Sequence, residues 1–68
     1  MDSDKYLFYD IYAQSKDDEH FDVFVNTTND LELAVAIARR YADTHNVACE
    51  ILFNSNYCAI IRSRSNND

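Results

Sequence analysis

Neither glycine nor proline occurs in the 68 residues of this chain. Average usage would supply roughly five of the first and three of the second. Without glycine there is no phosphate-cradling loop of the Walker or dinucleotide type and no EF-hand calcium loop. Every turn must be built from Asn, Asp or Ser, which tolerate left-handed or Asx-turn geometry. Cysteine is scarce: Cys49 and Cys58 are too few for a disulfide scaffold, and no CxxC pair or His/Cys grouping at zinc spacing is present. No run approaches the ~20 apolar residues that span a bilayer. The polar Asp2, Ser3, Asp4 and Lys5 and the interruption at Asp10 do not fit a signal peptide. The expectation is a cytoplasmic protein with reduced thiols. Cations are also few, with six Lys and Arg against twelve Asp and Glu, a net charge of −6 and a pI near 4.5. That balance opposes unaided binding to phosphate backbones, whose affinity comes from Lys and Arg. It also keeps a small protein soluble.

What the chain does have is strands that are apolar on both faces. In the segment 5–13, Leu7, Tyr9, Ile11 and Ala13 point one way. Tyr6, Phe8 and Tyr12 point the other, with Asp10 breaking that row. A second strand over about 20–26 alternates Phe21, Val23 and Val25 with His20, Asp22, Phe24 and Asn26. The polar loop between them, Gln14 to Glu19, ends in Asp17-Asp18-Glu19.

A helix is predicted from about Asp30 to His45. Asn29 is its N-cap and Glu32 completes a capping box. Leu33, Ala34, Ile37, Ala38, Tyr41 and Ala42 form its apolar stripe. Asn46 can close it in a left-handed conformation. Third and fourth strands follow over about 47–54 and 57–62. With Ser55-Asn56 as a two-residue loop, Tyr57, Ala59 and Ile61 share a face with Glu50 and Leu52, while a three-residue loop exchanges the two sets.

The pattern strand, strand, helix, strand, strand, with a right-handed crossover, predicts an α+β domain over 1–62. Its sheet is four-stranded and mainly antiparallel, in the order 2-1-3-4, with one helix packed on one face and a frayed polar tail over 63–68. The expected core is Leu7, Tyr9, Ile11, Phe21, Val23, Val25, Leu33, Ile37, Ala38, Tyr41, Val47, Cys49, Ile51 and Phe53. Folding a chain this short buries only about 60% of its surface, so association is a common remedy.

One helix covers one face, and the other needs a partner. The expected partner-binding residues on the open face are Tyr6, Phe8, Tyr12, Phe24, Leu52 and Tyr57, with Ile61 beside them. An acidic rim is expected from Asp10, Asp17, Asp18, Glu19, Asp22 and Glu50. Aromatic rows on open sheets also stack bases in RNA-recognition domains. Those surfaces carry Lys and Arg, whereas this one carries Asp10, Asp22 and Glu50, so direct nucleic-acid binding is the distant alternative. The acidic loop could instead imitate a phosphate backbone. Asp17-Asp18-Glu19 lacks the spaced ligands and turn glycine of a calcium loop.

Catalysis finds no constellation. His20 begins a strand and His45 ends a helix, neither with a nucleophile at diagnostic spacing. Both cysteines are expected as small buried hydrophobes without a disulfide between them. In size and composition alone the chain resembles phage-encoded or mobile-element inhibitors of the anti-CRISPR kind, a resemblance carried by no motif. The expected function is a non-enzymatic, protein-binding inhibitor without metal or cofactor, docking on a host protein, with a nucleic-acid-binding surface as the candidate target. A self-associating homodimeric module is the alternative.

Overall fold

A computed structural model describes residues 7–15 and 20–64. Along the chain run β1 (Tyr9–Gln14), β2 (Phe21–Thr28), α1 (Leu31–His45), β3 (Cys49–Phe53) and β4 (Asn56–Ile61). The sheet order is β2-β1-β3-β4, and every neighbouring pair is antiparallel. This is the ββαββ architecture that the sequence predicts, with the helix across one face. The segment that the sequence reads as apolar on both sides takes a central place as β1, with Tyr9, Ile11 and Ala13 toward the helix and Asp10 and Tyr12 on the open side.

The ends of the helix are set by local chemistry. Asp30, one residue later than expected, is the N-cap, and its side chain accepts from the Glu32 N–H at 3.1 Å. The Thr28 hydroxyl accepts from the Asp30 N–H at 3.2 Å and fixes the approach. At the other end Asn46 adopts φ 57°, ψ 47°, and its N–H returns to the Ala42 carbonyl, doing the work usually given to glycine.

The helix packs through its smallest residues. Ala34, Ala38 and Ala42 are wholly buried against Ile11, Ala13, Cys49 and Ile51. Spacing of four places these alanines in one row, so the backbone comes close to the sheet. Ile37 and Tyr41 flank that row on one side and Val35 on the other, all partly buried. Leu33, expected in the core, is 49% exposed. Leu7, just ahead of β1, and Val23, on the edge strand β2, are likewise exposed rather than core. Phe53 joins the helix side through ring contact with Tyr9, at 4.7 Å between centroids.

The β3–β4 turn uses Asn54 and Ser55, both at positive φ (50° and 72°), the geometry of a two-residue hairpin turn. Phe53 therefore opposes Asn56, and the loop falls one residue earlier than the expected Ser55-Asn56. A bulge at Cys58 then shifts the register, so that Leu52 opposes Tyr57 but Ile51 opposes Ala59. Ala59 and Ile61 consequently sit on the helix side and Ile60 on the open side, the reverse of their assignment in the two-residue-loop reading. Two more bulges fall at Val25 and Asp22 in β2. Past β4 the chain is tied back to the helix: the Arg64 N–H, Nε and Nη2 donate to the Asp43 carboxylate at 2.8, 3.2 and 2.8 Å. The expected frayed tail thus has Arg64 held in place, and its residues 65–68 lie outside the described chain.

Candidate functional site

Directly opposed residues in neighbouring strands share a face. Opposite the helix, the register assembles two rows across all four strands. The first is Thr27, Asp10, Leu52 and Tyr57; the second is Phe24, Tyr12, Glu50 and Ile60. The middle of this face is a checkerboard in which Asp10 opposes Leu52 and Tyr12 opposes Glu50, so the two carboxylates occupy diagonal corners. Aromatic rings mark the margins. Phe24 on one edge strand is 56% exposed and Tyr57 on the other is 64% exposed, while Asp10, Tyr12, Glu50, Leu52 and Ile60 are half-buried.

Several contacts hold the surface in shape. Tyr12 and Phe24 meet edge to face with centroids 5.5 Å apart, a favourable ring arrangement. The Thr27 hydroxyl donates to Asp10 Oδ1 at 2.7 Å. Phe8, 40% exposed, lies ahead of β1, where its N–H donates to Asn54 Oδ1 and its carbonyl accepts from the Asn54 N–H, both at 3.1 Å. The hairpin turn thus anchors the backbone carrying this ring.

Of the residues expected to bind a partner, Tyr12, Phe24, Leu52 and Tyr57 are brought together with Asp10 and Glu50. Tyr6 and the acidic Asp17, Asp18 and Glu19 lie outside the described residues. Asp22 is exposed in the first bulge of β2, at the sheet's edge. Ile60 and Thr27 are the members that sequence reasoning missed. Ile60 is hidden because Ala59-Ile60-Ile61 gives no polar marker of which face is wet. Thr27 reads in the sequence as the approach to the helix rather than as strand.

Two concavities lie elsewhere. One, about 290 Å³, lies between β2 and the C-terminal half of α1 and is lined by Val25, Ile37, Arg40, Tyr41, Thr44 and His45. Tyr41 and His45 stack there at 4.1 Å. The other, about 420 Å³ and more polar, is lined by Gln14, Asn46, Val47, Ala48 and Arg62 to Arg64. It is floored by the Gln14–Ala48 pair, whose two hydrogen bonds measure 2.9 and 3.0 Å.

The titrating groups with displaced pKa values belong to the scaffold. Desolvation pushes the Cys49 thiol up to about 11, which keeps it protonated and unreactive. Hydrogen bonds from the Arg64 backbone and then its side chain hold the Asp43 carboxyl below its ordinary 3.8. Cys58, expected to be buried, is exposed in its bulge, and both thiols are free. Among the described residues no three His, Cys, Asp or Glu side chains converge as metal ligands. Nor is any helix among them long and apolar enough to cross a membrane. No protein-family model matches the chain, and neither a curated protein nor a solved structure matches it.

Proposed function

We propose that this chain is a non-enzymatic protein-binding module, an inhibitor that docks through the open face of its sheet onto a host protein in the cytoplasm. One observation carries the reading: the face opposite the helix presents Phe24 and Tyr57 more than half exposed, around half-buried Tyr12, Leu52 and Ile60. Aromatic anchors that become fully desolvated on binding can cost about 2 kcal/mol or more each when truncated. The net charge of −6 favours a basic target, and surfaces that bind nucleic acid are basic because Lys and Arg neutralise phosphates. The anti-defence type of inhibitor, as in phage or mobile-element proteins, is supported by size and composition.

The test compares wild type with a Phe24→Ala, Tyr57→Ala double variant in a tagged pull-down from host lysate, with and without nuclease. Both side chains are exposed, so their loss should leave the fold intact. A target retained by wild type after nuclease treatment and lost by the variant supports the reading. A target equally retained by both would refute the open face as the docking surface. Self-association through the same apolar face is the second reading. A stable dimer in light scattering at micromolar concentration, dispersed by Tyr57→Glu, would favour it.

A further inference from the structure

The open face sets two carboxylates among apolar side chains at its centre, and that arrangement constrains what can cover it. Asp10 and Glu50 stand at diagonal corners of the central checkerboard, half-buried among Tyr12, Leu52, Phe24 and Ile60. Diagonal neighbours on adjacent strands lie ~7–8 Å apart. The ion pair among the described residues joins Asp43 to Arg64, on the helix and the segment tied to it. Arg39 and Arg40 are on the helix, Arg64 is bonded to it, and Arg62 lies beyond the end of β4, with its carbonyl accepting from Arg39 at 3.0 Å. None of these described cations lies on the open face, so covering it with an apolar surface would desolvate two carboxylates with only the Thr27 hydroxyl on Asp10 as a described partner.

A second copy fits poorly. Across a two-fold axis it would bring two Asp10 and two Glu50 side chains into one dry centre. The footprint is also small. Four strands ~4.8 Å apart and about five residues long project to roughly 320 Å², short of the ~800 Å² per partner of a stable interface even when doubled for side-chain relief, so this face alone suits a short segment held transiently rather than a permanent dimer.

Resting on the docking reading above, we infer that the occupant is a basic amphipathic helix of another protein, with two Lys or Arg residues one turn apart set within an apolar stripe. A helix with side chains is ~10–12 Å wide, which fits between the edge-strand rings of Phe24 and Tyr57. Along strands of ~17 Å it needs about eleven residues. Cations at positions i and i+4 have Cβ atoms ~5–6 Å apart, close enough for flexible side chains to reach both Asp10 and Glu50. The helix would complete a three-layer sandwich, burying the second apolar face of the sheet as α1 buries the first.

The test is an unbiased display selection of helical peptides with one face randomised, run against the full chain. Selected peptides are measured against wild type, an Asp10→Asn, Glu50→Gln variant, and the Phe24→Ala, Tyr57→Ala variant. The expected binders carry paired Lys or Arg at i and i+4, require Phe24 and Tyr57, and lose at least about tenfold in affinity to the amide variant, as the loss of charge-assisted pairing would give. Both amide substitutions are isosteric at half-buried positions, and the new amide oxygen at position 10 can still accept from Thr27, so an unchanged melting temperature checks the fold. Binders that need Phe24 and Tyr57 but lack cations, or ignore the amide changes, overturn this inference and leave the docking reading standing. A failure to select any peptide dependent on Phe24 and Tyr57 overturns the helical occupant, while the pull-down with the Phe24→Ala, Tyr57→Ala variant decides the docking reading separately.

Discussion

Replacing Ile51 by alanine should nearly abolish the stability of this domain, whereas Leu33→Ala should cost far less and leave it folded. A reading based on apolarity alone would rank the two alike. Ile51 is wholly buried beneath the alanine row of α1, and Leu33 is 49% exposed. Deleting a fully buried Ile side chain commonly costs about 2–5 kcal/mol, since the cavity adds to the lost transfer energy. Fully burying a Leu is worth about 1.5–3 kcal/mol, so a half-exposed one should cost about 1. A core this small supplies only about 3–5 kcal/mol in total. Ile51→Ala should therefore leave a substantial unfolded population in plain buffer, and Leu33→Ala a clean transition. The chain has five tyrosines and no tryptophan, so urea titration followed by tyrosine fluorescence and far-ultraviolet circular dichroism is suitable. With a slope near ~1 kcal/mol per M urea, the midpoints should fall by at least ~2 M for Ile51→Ala and by ~1 M for Leu33→Ala. Equal shifts, or a larger one for Leu33, would refute the placement of the helix on its alanines.

Ala38→Asp should unfold the chain, since that position has no route to water, while Ile37→Asp should be milder than its place in the sequence stripe suggests, because Ile37 is half-buried beside the groove; thermal melts of the two variants decide it. Iodoacetamide labelling followed by mass spectrometry at mildly alkaline pH should modify exposed Cys58 quickly and reach Cys49 only on unfolding, given a thiol pushed up to about 11. Ser55→Gly should stabilise by up to about 1 kcal/mol, because a non-glycine residue at φ 72° carries a left-handed penalty; a raised melting temperature, by ~4–8 °C per kcal/mol, checks it. Since the folded-state pKa of Asp43 lies below its unfolded value, its contribution is present above the ordinary 3.8 and lost as pH falls through the depressed folded value. A carboxyl titration by NMR should show that depression, and Arg64→Ala, which removes the guanidinium but keeps the backbone N–H donor, should reduce it without abolishing it.

The strand order was legible because hydrophobic periodicity and crossover handedness leave few arrangements, and the doubly apolar first strand suits a central position. The centre of the helix stripe was less legible. Leu33, Ile37 and Tyr41 look like core because they are large, but close approach to a sheet favours the row of Ala34, Ala38 and Ala42, which turns Leu33 outward. The final hairpin misled for a different reason. Its turn chemistry allowed Asn54-Ser55 or Ser55-Asn56, and no residue type announced the bulge at Cys58 that resets the phase before Ala59. For the open face, Tyr12, Phe24 and Leu52 were readable from alternation, whereas the side taken by Tyr57 hung on the length of the final loop. The diagonal placement of Asp10 and Glu50 was not, because it depends on how β1 is registered against β3.

The three bulges among the described residues all lie in the outer strands, at Asp22 and Val25 in β2 and at Cys58 in β4, while β1 and β3 pair without interruption. An invading strand needs a regular row of free donors and acceptors, and each extra residue breaks that row and twists the border away. Sheet-extending polymerisation is thereby blocked at both borders of a chain that has no proline to guard them. Bulged borders of this kind disfavour cross-β growth along the sheet, which leaves its face rather than its edges as the regular surface.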